Sequence, residues 1–289
     1  LYSREYTMQQ ADALAQDIRT EIAPLYPMLQ QLGAQARVRY EAMGEAALRK
    51  QMAQAAQQMG GQIAEVWQTM DQYHLYDITV SAKKANTSFE DYLEDYEVPF
   101  ALVKTWGYND DIFAFAHEFG HCVDAYVNYN DTDSLELSET FSQAMEYLIL
   151  SHADDAQNLR AMRLIDTVQT YAQQGSFHAF EQAVYAAPEQ TRTIDFLKEV
   201  SLQTAKDYGY FEEGEEAYYA DSWIDISHFF EQPFYVISYC VSNDAAFQIY
   251  ELEQAESGAG LRAFEALLPR EHDGFLETLS EQSNLESPF

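Results

Sequence analysis

The run Phe115-Ala116-His117-Glu118-Phe119-Gly120-His121 sets two histidines four residues apart, with a glutamate directly after the first. At about 3.6 residues per turn, a helix carries His117 and His121 on one face, where both imidazoles can reach one ion. The surrounding pattern is helical as well: Ile112, Phe115, Phe119, Val123 and Tyr126 give residues 111–127 a broad apolar face. Zinc accepts imidazole nitrogen and carboxylate oxygen in a four-coordinate shell, and a catalytic site keeps one position for water. One zinc ion is therefore expected here, with a carboxylate supplied from another part of the chain.

Beyond the connecting segment Asn128–Asp133, the stretch Leu137-Ser138-Glu139-Thr140-Phe141-Ser142-Gln143-Ala144-Met145-Glu146 reads as a second helix and offers Glu139 as that donor. Glu146 lies seven residues further on nearly the same helical face and is the rival ligand. Glu118 projects one residue beyond His117, the usual place for a base that serves the water without binding the metal. Asp124 shares the histidine face and can orient an imidazole, although an ordinary hydrogen-bonded aspartate fits equally well. Cys122 follows His121 and points about 100° around the helix from it, so it reads as a buried free thiol rather than a ligand. His152 and His272 fall outside these motifs and are expected to take no part in metal binding.

A tetrahedral intermediate also needs donors for its developing oxyanion. The segment Ser227–Tyr239 offers His228, Tyr235 and Tyr239. A helix over Glu231–Glu251 would stack Tyr235 and Tyr239 one turn apart. The chain has 21 tyrosines, so ordinary packing competes with a functional role for this pair, and His228 is open to the same alternative.

Residues 1–70 are rich in Ala, Gln, Glu, Met and Leu, interrupted by Pro24, Pro27, Gly33, Gly44 and Gly60-Gly61, and read as a scaffold of jointed helices. From residue 71 to 289 the chain carries every motif named above and reads as the catalytic region. Tyr73–Val80 suits a short strand. Residues 86–99 are expected to be irregular or briefly helical, closed by Pro99. Helical patterns return at Glu139–Ser151, Ala161–Ala172, Thr191–Tyr208, Glu231–Glu251 and Leu261–Leu268.

The 48 acidic against 16 basic residues give a formal charge of -32, a field that repels phosphate backbones and anionic lipid. Nucleic acid is excluded as a partner on that ground. Two cysteines are too few for a disulfide framework, and no window is apolar enough for stable membrane insertion, so a soluble, cytoplasmic protein is expected. Oligomeric state is not legible.

Three passages together resemble the M3 family of zinc metallopeptidases, more closely its oligoendopeptidase F branch than the thimet oligopeptidase branch. They are Gly107 through His121, Leu137 through Glu146, and Trp223 through Tyr239 followed by Ala245-Ala246-Phe247. The resemblance implies a mainly α, helical zincin-like metallopeptidase with a minor β element and a deep substrate cleft between two lobes. It implies Glu139 as third zinc ligand and Glu118 as general base. His228, Tyr235 and Tyr239 become the substrate-binding and transition-state-stabilising group, with Tyr239 the first choice. Short unstructured peptides would be the substrates, cut internally. The resemblance covers residues 73–268, and family members are usually much longer, so the chain is expected to belong to a longer architecture. The glycine-containing loop common before the metal helix is represented by Val80-Ser81-Ala82-Lys83-Lys84-Ala85-Asn86, without glycine.

Two other functions are compatible with these residues. A peptidase trimming peptide ends would need a basic clamp for a terminal carboxylate, for which Arg163, Lys198 and Lys206 are the candidates. A noncatalytic peptide-binding module with a structural zinc would need a closed metal shell.

Overall fold

The computed structural model describes residues 4–35, 38–129, 134–269 and 274–289. Residues 130–133 of the expected connecting segment, and His272, lie outside the described residues. The chain is predominantly helical with one small sheet, as its sequence leads one to expect. In order, the elements are α1 (Met8–Asp17), α2 (Leu25–Gln35), α3 (Glu45–Met59), α4 (Gly61–Tyr73), β1 (Tyr76–Asp77), β2 (Phe89–Leu93), β3 (Val98–Leu102), α5 (Asp111–Asn128) and α6 (Leu135–Leu148). They continue with α7 (Ala156–Ala186), α8 (Ile194–Asp207), α9 (Glu216–Asp221), α10 (His228–Glu231), α11 (Ser238–Ala255), α12 (Ala259–Leu267) and α13 (Phe275–Thr278).

The chain forms two compact units: unit 1 comprises residues 1–37, 164–241 and 289, and unit 2 comprises 38–163 and 242–288. In unit 1, Thr7 starts α1 with a reciprocal cap, its hydroxyl taking the Gln10 N–H while the Gln10 side chain accepts from Thr7 N. The expected helix Ala161–Ala172 proves much longer, because Gly175 does not end α7. A Cβ there would meet Tyr208 Cε1 at 2.7 Å and Ile18 Cγ2 at 3.0 Å. That glycine is a point of close packing inside a helix.

In unit 2, α5 and α6 form the core of the metal-motif region, where Phe115, Phe119, Phe141 and Tyr147 are fully buried. The two helices meet at Gly120, where a Cβ would stand 2.5 Å from Phe141 O and 2.6 Å from Ser142 Cα. Only a residue without a side chain permits that approach. The N-terminus of α5 is tied by Asp111, whose carboxylate accepts from the backbone N–H groups of Trp106, Gly107 and Tyr108.

The sheet has the order β1-β3-β2, with β1 parallel and β2 antiparallel to β3. The strand expected over 73–80 shrinks to Tyr76–Asp77, since Tyr73 still belongs to α4. The segment 86–99 is not irregular or helical: it supplies β2 and the start of β3, with Pro99 inside the central strand opposite Tyr92. The reason lies in strand parity. Ala101 N and Val103 N donate to Leu75 O and Asp77 O on the β1 side, so the nitrogen of Pro99 faces that side too, beyond the end of the short β1. No ladder bond is required of it there, which removes the usual objection to proline in a central strand.

Candidate metal centre

His117 and His121 lie on α5 and Glu139 on α6, and one ligand atom from each falls within 4.8 Å of the others. Glu139 Oε2 is 3.6 Å from His117 Nε2 and 3.8 Å from His121 Nε2. The close crossing at Gly120 brings the carboxylate of one helix over the two imidazoles of the other. Glu139 is itself steadied by Ser142, whose Oγ donates to Oε2 at 3.2 Å.

The remaining ring nitrogens are occupied by protein. His117 Nδ1 is 2.8 Å from Glu146 Oε1, and His121 Nδ1 is 3.1 Å from Ser138 Oγ. Glu146, weighed from sequence as a rival ligand, therefore meets His117 on the other nitrogen. Its second oxygen pairs with Arg163 Nη1 at 2.8 Å, and that guanidinium, 5% exposed, also lies over the Tyr147 ring at 5.2 Å. The Oδ1 of Asp124 accepts from Asn128 Nδ2 at 2.8 Å. Such outer partners fix the tautomer and ring orientation of a metal-binding histidine. Two Nε2 atoms and one carboxylate oxygen, each backed by a hydrogen bond, match the donor set of an open zinc site. The residues present fit the ion.

Electrostatics at the centre follow from five ionisable groups at close quarters, two histidines and the buried Glu118, Glu139 and Glu146. Burial alone pushes His117 down, but the Glu146, Glu139 and Glu118 carboxylates outweigh it and raise its pKa above the ordinary value. His121 is pushed well below its ordinary value, first by burial and then by the charge on His117. Glu118, 5% exposed, is raised to about 7 by burial, with Glu139 and Glu146 adding to the rise against the pull of His117. Burial also lifts the Cys122 thiol well above its usual range, and Cys122 is the buried free thiol expected from sequence.

His228, Tyr235 and Tyr239 come together within unit 1, though not in the way expected. Tyr235 stands in a turn before α11 rather than on a helix with Tyr239. Pro233 disfavours helix at Gln232, which sits at φ -142° and ψ 78°. The rings nonetheless gather: His228 stacks on Tyr235 at 4.3 Å, Tyr235 meets Tyr239 at 5.4 Å, and Tyr239 Oη is 3.4 Å from His228 Nε2. Burial lowers the His228 pKa, with Glu231 opposing, which favours the neutral imidazole.

Of the basic residues considered as clamps for a peptide terminus, Arg163 is committed to Glu146, Lys198 pairs with Asp221 at 2.7 Å, and Lys206 lies over the Phe211 ring. Ser138, Ser142 and Arg163 support the centre without having been singled out for that role from the sequence. Their only signal is adjacency to Glu139 for the serines, and there is none for Arg163. Among the described residues no helix is long and apolar enough to cross a membrane.

No family model matches the sequence, and no curated protein matches it either. Solved structures share the fold, among them the following three. A candidate oligoendopeptidase F superposes with TM-score 0.86 at 22% identity, covering 99% of this chain and 56% of that one. PZ peptidase A with an inhibitor gives TM-score 0.86 at 20% identity, covering 98% and 56%. A candidate oligoendopeptidase F from Bacillus anthracis strain Ames gives 0.81 at 20% identity, covering 99% and 54%. This chain thus has the fold of about half of each of these proteins, and spans little more than half their length.

Proposed function

We propose that this chain carries the catalytic chemistry of a zinc-dependent peptidase cutting internal bonds of short unstructured peptides. The observation that carries the reading is the convergence of His117 Nε2, His121 Nε2 and Glu139 Oε2, with Glu118 one residue from the first ligand. All nine residues assigned roles fall in residues 71–289, with 1–70 as scaffold. A zinc ion held by His117, His121 and Glu139 would supply Lewis acidity to the scissile carbonyl and acidify water. Glu118 accepts the proton of the attacking water on its carboxylate and passes it to the leaving amine nitrogen. Burial raises the Glu118 carboxylate above its ordinary pKa, which makes it a stronger acceptor for that proton. Glu146 and Ser138 hold the two imidazoles in orientation through Nδ1. The resemblance assigns Tyr239 the donation of its hydroxyl hydrogen to the carbonyl oxygen as negative charge develops there, with His228 and Tyr235 packed against the phenol.

Internal cleavage is favoured over trimming because Arg163, a basic candidate for clamping a terminal carboxylate, is buried against Glu146. The test is a pool of unstructured peptides of graded length incubated with the zinc-loaded chain, with fragments mapped by mass spectrometry. Cuts at internal positions support the proposal. Cuts confined to one residue or dipeptide from a terminus would replace it with trimming, and peptide binding without turnover would replace it with a noncatalytic module.

A further inference from the structure

Phe234 adopts φ 63°, the left-handed region, which a bulky aromatic residue enters only where its surroundings hold it there. Both of its backbone polar groups are held by side chains from remote parts of unit 1. Glu181 Oε1, on α7, accepts from Phe234 N at 2.7 Å. Arg4 Nη1, ahead of α1, donates to Phe234 O at 2.8 Å. The ring is flanked by His178 at 5.6 Å and Tyr185 at 5.3 Å. The next residue is Tyr235, which stacks on His228. The torsion fixed at Phe234 therefore sets the direction in which Tyr235 leaves the turn, and with it the His228 and Tyr239 arrangement.

We propose that Glu181 and Arg4 form a backbone clamp on Phe234 that positions Tyr235, His228 and Tyr239, which makes Glu181 a positioning residue for the reaction. The catalytic half of this inference rests on the reading of Tyr239 as the carbonyl donor; the geometric half does not. Glu181 is 2% exposed, and its Oε2 is buried without a hydrogen-bond partner. A half-satisfied buried carboxylate is a costly way to fill space. Holding the N–H of a left-handed residue beside a functional turn accounts for its presence.

The test combines the His228 imidazole resonances, followed by NMR in the full chain, with steady-state kinetics of the zinc-loaded chain. Glu181→Ala removes the acceptor, whereas Glu181→Gln keeps an oxygen that can accept from Phe234 N. The expected result is that Glu181→Ala shifts the His228 signals and lowers kcat about ten- to a hundredfold with KM within about twofold, since small misplacement of positioning groups acts on the transition state. Glu181→Gln should restore both. A folded Glu181→Ala chain with unmoved His228 signals overturns the clamp, as does Glu181→Gln behaving like Glu181→Ala. Should the signals move as expected while Tyr239→Phe keeps full kcat, the clamp stands and the role of Tyr239 falls.

Discussion

Glu146 Oε1 meets His117 at Nδ1, 2.8 Å away, while Glu139 Oε2 stands 3.6 Å from Nε2 of the same ring. The two glutamates of α6 thus divide one imidazole between them, and replacing them should have different consequences. Glu146→Gln keeps an acceptor for Nδ1 and should weaken zinc affinity about 10–100-fold, the usual effect of disturbing a ligand's outer partner. Glu139→Ala should lose far more. Zinc titration against a competing chelator measures both, and equal losses would contradict the division.

Glu118→Gln should leave zinc affinity and the thermal transition close to wild type and reduce kcat about 10²–10⁴-fold, because an amide cannot take a proton from water. Near-normal turnover by a zinc-loaded, uncontaminated preparation would remove Glu118 from the mechanism.

Tyr239→Phe deletes one hydroxyl while keeping most of the ring contact with Tyr235. If that hydroxyl serves the carbonyl oxygen, kcat should fall about 10²–10³-fold with KM little changed. A defect in Tyr235→Phe instead would move the donor to Tyr235.

Gly120→Ala places a methyl against the backbone of Phe141 and Ser142. Overpacking of this kind costs about 1–3 kcal/mol. A lower melting temperature should appear together with weaker zinc binding, since the same crossing sets Glu139 over the histidines. Loss of stability with unchanged zinc affinity would show that the crossing does not set the donors.

Glu181 is raised from 4.5 to about 7 by burial, against the Phe234 N–H and Arg4. Between those values the folded chain keeps a proton that the unfolded chain has released, so rising pH erodes stability. Glu181→Gln cannot lose that proton. Its melting temperature relative to wild type should therefore improve from about pH 4.5 to about pH 7.5, and a constant difference would refute the assignment.

Sequence periodicity located α5, α6 and the His117 and His121 pair because each depends on spacing along a helix, which a linear pattern records. It did not separate Glu139 from Glu146. Seven residues return to the same face, and which imidazole nitrogen each carboxylate meets depends on how the helices cross. β2 and β3 were hidden because the objection to Pro99 disappears only when one knows that β1 ends before reaching it. Tyr235 was misplaced onto a helix because Pro233 bends the chain there, yet the ring contact with Tyr239 arises all the same from the turn.

The hydrogen bonds of Ser138, Ser142 and Glu146 to the cluster have a consequence for the order of events in the life of the chain. The donors are held by neighbours belonging to the fold itself, so their arrangement does not wait for an ion. Proteins whose ligands are gathered only by the metal unfold when it is removed. This chain should behave otherwise: treatment with a chelator should leave its helical circular dichroism intact, and later addition of zinc should find a receptacle already shaped.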